Sequence, residues 1–246
     1  FVCYRNTSET GLNFVQTMEN LDDCMVNGKI YLTDRNTLKM LSDIENIDKK
    51  DKNRIRVKNG FATLNDKFFI IDDYPNKEDK NIITVYKASN GETHYFFYPY
   101  DENGKPLSLM DIDNNLVDFM RNKAIEMEVD IENPSWYLYG RTQALNDVKY
   151  NKVSINNLIR NEEDIKIYFL FDTVIHYGIY SGYYIPIYNK VIGNKVLQVI
   201  RYYLADNFVE YIKAVGKYKN GGYYTFSSKE LEMWLNYCAE KRFFDE

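Results

Sequence analysis

Two strand-like runs, residues 82–87 and 93–98, flank Asn90-Gly91. An Asn-Gly pair tolerates the positive φ angles of a tight reversal, so this stretch commits the chain to an antiparallel hairpin. Helices must pack around it. Leu12, Val15, Met18 and Leu21 recur at helical spacing over 8–25, with Thr7 or Ser8 as N-cap, and Leu38, Leu41 and Ile44 mark a second helix from near Asp34. Leu116, Met120, Ala124 and Met127 share the face of a third, which ends before Asn133-Pro134. Residues 194–215 read as two helices meeting near Asp206, and Ser227 with Glu230 forms a capping box ahead of a last helix. Further strands are expected at 29–33, 54–58 (closed by an Asn59-Gly60 turn), 67–72, 152–156 and 165–171. Residues 177–188, with two glycines, read as a hairpin or bulged pair, and 217–224 as a Gly-Gly loop. Strands and helices mix without a βαβ rhythm, which predicts an α+β fold of mixed or antiparallel strands with several packed helices. The charge run at 48–53 reads as a solvated linker between an N-terminal helical segment or hinge, 1–50, and a main domain, 51–246.

The stretch from Asn133 to Leu145 concentrates chemistry. Trp136, Tyr137 and Tyr139 alternate as in a half-buried strand, and Gly140 then allows a turn or a close approach. Arg141 and Gln143 can each make two parallel hydrogen bonds to a base edge or a phosphate. A strand end followed by a solvated turn explains the same residues equally well. Asn133-Pro-Ser-Trp136 is one residue away from the Asn-Pro-Pro-aromatic tetrad with which DNA amino-methyltransferases hold a flipped base. Ser135 replaces the second proline, and no Gly-rich strand-to-helix turn precedes it, so a catalytic tetrad is disfavoured.

Charge and reactive residues narrow the classes. A net charge of −5 argues against binding nucleic acid through bulk charge, while leaving room for a basic face on an acidic body. The 23 tyrosines suit wet recognition surfaces, although an AT-rich coding sequence would enrich tyrosine as well. Cys3, Cys24 and Cys238 lack a CxxC spacing, so a reduced, cytoplasmic chain without a zinc site is expected. His94 and His176 sit in apolar or aromatic runs and have no partner at metal or triad spacing. No P-loop, serine nucleophile elbow, secretory signal or membrane-length apolar run is seen. The opening Phe-Val-Cys-Tyr, without an initiator methionine, reads as a piece of a longer protein.

Several blocks, in order, resemble one family. Trp136-Tyr-Leu-Tyr-Gly-Arg-Thr-Gln-Ala-Leu145 resembles the WYxxGRxQxL segment in the C-terminal target recognition region of adenine-specific DNA methyltransferases of type II restriction–modification systems, including forms fused to a nuclease. Val57-Lys-Asn-Gly-Phe-Ala-Thr-Leu-Asn-Asp-Lys-Phe-Phe-Ile-Ile71 is similar to that region's VxNGxATLxDKxFII. Lys87-Ala-Ser89 with residues 95–100, Tyr180-Ser-Gly-Tyr-Tyr-Ile185 and Gly221-Gly-Tyr223 resemble its KxS…YxxFPY, YSGYxI and GGGY blocks. The likeness runs from about residue 54 to 238; residues 1–50 match less clearly.

The resemblance implies a target-recognition-domain-like fold that grips double-stranded DNA and reads a short site. A separate N-terminal methyltransferase domain of the same parent, missing from this chain, would bind S-adenosylmethionine and methylate adenine. No catalytic, cofactor or metal residue is then expected here. By matching position, Lys58, Asn59, Lys67, Gly140, Arg141, Thr142, Gln143, Gly221, Gly222 and Tyr223 are carried over as candidate DNA contacts. Tyr139 joins them beside Gly140, and Lys149 and Lys219 extend the basic sets. Those sets are Arg54, Arg56, Lys58 and Lys67; Arg141, Lys149 and Lys152; and Lys213, Lys217, Lys219 and Lys229. The segment from Asn161 to Tyr177 departs from the pattern and is where specificity would vary. Alternative readings are half of a specificity subunit of a multi-subunit restriction–modification complex, a stand-alone enzyme and a tyrosine-rich protein-interaction module.

Overall fold

A computed structural model describes residues 24–31, 33–47, 50–159, 166–172, 177–180, 182–203 and 206–241. The helix expected over 8–25, Cys3, His176 and most of the 161–177 segment lie outside the described residues.

A short hairpin, β1 (Met25–Val26) and β2 (Lys29–Ile30), precedes α1 (Arg35–Glu45), whose first amides are capped by the Asp34 carboxylate. Strand β3 (Lys58–Asn59) leads to a single helical turn, α2 (Asp66–Phe69). β4 (Ile82–Lys87) and β5 (Thr93–Phe97) form the hairpin around Asn90-Gly91, with Gly91 at φ +83°. α3 (Asn114–Glu126), capped by Asp113, buries Leu116, Val117, Met120 and Ala124. β6 (Lys152–Ile155), β7 (Leu158–Ile159), β8 (Ile167–Leu170), β9 (Tyr177–Tyr180) and β10 (Tyr183–Pro186) follow. α4 (Lys190–Tyr203), α5 (Asp206–Val215), β11 (Lys217–Lys219), β12 (Tyr223–Thr225) and α6 (Ser228–Lys241) complete the order. The capping box is formed: the Ser227 amide donates to Glu230 at 2.6 Å, and the Glu230 amide to the Ser227 hydroxyl at 3.2 Å.

The strands build an antiparallel sheet β3-β10-β6-β8, a mixed sheet β5-β4-β9 in which β4 and β9 run parallel, an antiparallel sheet β11-β12-β7, and the β1-β2 hairpin. The fold is α+β, with antiparallel and mixed sheets and packed helices. Among the described residues two cores hold it together. One joins β4, β5, α2 and α3 to residues 136–148 and is dominated by Phe61, Phe68, Phe96, Phe97 and Tyr139. In the other, β6, β10 and β12 meet α1, α4, α5 and α6 around Tyr183, Phe208, Tyr211 and Trp234. Leu41 and Ile44 of α1 share this core with Ile55 and Val57, from the far side of the 48–53 run. Among the described residues no helix is long and apolar enough to cross a membrane.

Local expectations fail where side chains replace ladder partners. Residues 54–57 form no strand and bond instead to side chains of α6. Asn236 takes both the amide (3.0 Å) and the carbonyl (2.9 Å) of Ile55, and Glu232 accepts the Val57 amide at 3.0 Å. Asn59-Gly60 makes no reversal, because the Gly60 amide continues the ladder to the Gly182 carbonyl at 3.2 Å. The expected strand at 67–72 begins instead as α2, which buries Phe68 and Phe69 side by side. Residues 133–139 form consecutive turns, with the Asn133 side chain accepting the Ser135 amide at 3.0 Å and the Asn133 carbonyl accepting the Trp136 amide at 3.0 Å. β9 and β10 are not a hairpin: β9 pairs with β4, and β10 with β6 and β3. The 217–224 loop is a hairpin turning at Gly222, φ +79°.

Candidate functional site

The site starts at Thr63-Leu64-Asn65-Asp66. The buried Thr63 hydroxyl donates to the Asp66 carboxylate and accepts the Asn65 amide at 3.2 Å. This closes a tight corner and leaves Leu64 at φ +67°, a left-handed conformation unfavourable for a residue with a Cβ. Leu64 is also 73% exposed.

The corner is clamped to the 140–143 stretch. The Ala62 amide donates to the Arg141 carbonyl at 3.2 Å, the Arg141 amide to the Ala62 carbonyl at 2.9 Å, and the Gly140 amide to the Thr63 carbonyl at 3.1 Å. The Leu64 side chain lies across Gly140, where any Cβ would overlap its Cγ and Cδ1. Gln143 Nε2 donates to the Gly60 carbonyl at 2.9 Å, which fixes the plane of its amide. Two stretches far apart in sequence thus form one rim, on which Asn59, Leu64, Asn65, Asp66, Lys67, Arg141, Thr142 and Gln143 are exposed. Arg141 has no ion pair among the described residues. Its guanidinium is available for a bidentate contact.

Beneath the rim lies an aromatic floor. Phe61 stacks on Tyr139 at 5.0 Å, and Phe69 meets the same ring edge-on at 4.8 Å. Tyr139 itself is not a surface contact. It is 5% exposed, its hydroxyl donates to the Phe97 carbonyl at 2.5 Å, and its amide donates to Tyr100 Oη at 2.6 Å. Burial pushes its phenol well above the ordinary value.

Beside the rim, β3 pairs with β10 through Lys58↔Tyr184 and Asn59↔Tyr183, while Ala88 packs against Gly182. The Lys58 ammonium binds the buried Asp147 carboxylate at 2.7 Å, and that carboxylate also accepts from Tyr184 at 2.7 Å and Tyr188 at 3.1 Å. Burial, the largest single influence, pulls the Lys58 pKa down, yet the bonds to Asp147 and Tyr188 together hold it above the usual lysine value. Lys58 is therefore oriented by Asp147 while remaining partly exposed. Lys152 is no phosphate ligand in this fold: it is 2% exposed, donates to the Val148 carbonyl at 3.1 Å, and burial outweighs Asp147 in lowering it to about 7. Arg54 is likewise buried, sharing the Glu232 carboxylate with Arg56 at 3.2 and 3.1 Å.

The remaining candidates stand apart from the rim. Exposed Lys149 approaches Asn103 at 3.3 Å and lies 5.8 Å from the Tyr150 ring centre. Lys219 is exposed on β11, Gly221 and Gly222 are exposed in its turn, and Tyr223 is half-buried on β12. The residues following that hairpin reach the rim's edge: Tyr183 donates to the Phe226 carbonyl at 2.5 Å, and Asn59 Nδ2 approaches Ser228 Oγ at 3.5 Å. Trp136 leans on Phe68 at 6.0 Å, and Asn133 serves its turn, so both tetrad residues have structural work. His94 pairs with Asp72 at 2.7 Å. Among the described residues no group of three or more His, Cys, Asp or Glu side chains could hold a metal ion.

Residue-by-residue reading overlooked Leu64 and Asp147. Leu64 was signalled only by a large apolar residue inside a Thr-x-Asn-Asp capping sequence. Nothing local marks Asp147 as buried. No protein-family model and no curated protein matches the chain.

Proposed function

We propose that this chain is a sequence-specific double-stranded DNA recognition domain of a restriction–modification adenine methyltransferase. S-adenosylmethionine binding and methyl transfer are assigned to a separate N-terminal domain, and no residue of this chain to either. The observation that carries the reading is the antiparallel join of Ala62 to Arg141. It brings together the two longest blocks of the family resemblance and leaves Arg141 and Gln143 exposed on one rim with Lys67 and Asn59. An arginine and a glutamine so placed have the donor geometry to read guanine and adenine respectively in a major groove. Lys67 can neutralise a phosphate beside them, while the Lys58 charge is already matched by Asp147.

The test is selection of a duplex from a randomised pool, followed by anisotropy titrations across a salt series. Arg141→Ala is expected to relax preference at one base position, a loss of about 1–3 kcal/mol. Lys67→Ala should weaken all duplexes alike and flatten the salt dependence. Unchanged site preference in Arg141→Ala removes the base-reading role, and saturable binding of S-adenosylmethionine to this chain contradicts the division of labour.

A further inference from the structure

Leucine is an odd choice at residue 64. An asparagine or glycine would sit at φ +67° with less strain, and a polar side chain would suit a position 73% exposed. The corner is rigid as well as strained. Thr63–Asp66, Thr63–Asn65 and the three backbone bonds to residues 140–141 fix its backbone, and the missing Cβ at Gly140 makes room for the isobutyl group. Its exposed neighbours on the rim are Asn65, Lys67, Arg141, Thr142 and Gln143, cationic or able to hydrogen-bond, together with the Asp66 carboxylate, which is tied to the Thr63 hydroxyl. An apolar tip held stiffly between such groups matches the wedge with which proteins part stacked bases, the flanking cations holding the phosphates on either side. Because the corner is already ordered, little conformational entropy is lost on insertion.

We propose that Leu64 inserts into bound duplex DNA and unstacks a single base step, deforming the helix beside the bases that Arg141 and Gln143 face. This rests on the DNA-recognition reading. It adds a deformation term, so base steps that unstack easily are favoured at a position touched by no hydrogen-bonding side chain.

The duplex selected by the 246-residue chain is synthesised with 2-aminopurine scanned through each position, and fluorescence is followed on binding. Wild type is expected to give a several-fold rise at one position only. Leu64→Asn suits the left-handed backbone and keeps the fold, so it should still bind that duplex, with affinity reduced by no more than about a hundredfold, while the rise disappears. Leu64→Met should restore it. An unchanged rise in Leu64→Asn, or no rise at any position with wild type, overturns the wedge while leaving DNA recognition standing. Failure of wild type to select any duplex overturns both.

Discussion

Replacing Gly140 with alanine places a methyl group where the Leu64 side chain already lies. Leu64 must then swing toward solvent, and since it is 73% exposed only about a quarter of its surface is covered to begin with. Full burial of a leucine is worth about 2–3 kcal/mol, so the lost contact costs roughly 0.5–0.8 kcal/mol. An off-rotamer side chain adds about 0.5–1.5 kcal/mol. Opposing both, Gly→Ala at a position outside the positive-φ region stabilises by about 0.4–1 kcal/mol through the unfolded chain. The single variant is therefore expected to lose about 0–2 kcal/mol. In a Leu64→Gly background the overlap vanishes and only the gain remains, so the coupling between the two positions should be about 1–2 kcal/mol. Urea unfolding of wild type, both single variants and the double variant measures it directly. Coupling below about 0.5 kcal/mol, the scatter of independent sites, would refute the packing of Leu64 on Gly140 and with it the geometry of the rim.

Two other outcomes follow from the buried polar groups. Lys152 is neutral in the fold above about pH 7 but charged in the unfolded chain up to the ordinary lysine value of 10.5, so the unfolded state binds the extra proton between them and stability rises with pH across that window. Unfolding free energies between pH 7.5 and 9 should climb with pH more steeply in wild type than in Lys152→Met, by on the order of 1 kcal/mol per pH unit; parallel profiles would show that Lys152 does not lose its charge. Tyr139→Phe removes a buried hydrogen bond to the Phe97 carbonyl and should cost about 1–3 kcal/mol of stability, read by the same denaturation, while leaving site preference untouched because the ring never reaches the rim. A change in preference would place Tyr139 at the DNA.

Much of the fold was legible along the chain because its signals are local. Gly91 turned the chain from β4 to β5, Asp34 capped α1, and Ser227 with Glu230 opened α6, each acting through bonds within a few residues. The exposure of Arg141, Thr142 and Gln143 agrees with a polar run after a glycine. Pairing decided the rest. Whether residues 54–57 find a strand or the side chains of α6, whether β9 turns to β10 or joins β4, and whether Tyr139 faces water or Phe61 depends on what the far chain delivers. An isolated lysine code reads as a phosphate ligand, yet burial beside Asp147 made Lys152 part of the interior and left Lys58 at its edge. The sequence alone determined the α+β character, the caps and the hairpin, since backbone propensity and capping act at short range. Tertiary structure alone decided which cations remain in water and that Leu64 rests on Gly140, since solvent exclusion and long-range pairing belong to the assembled surface.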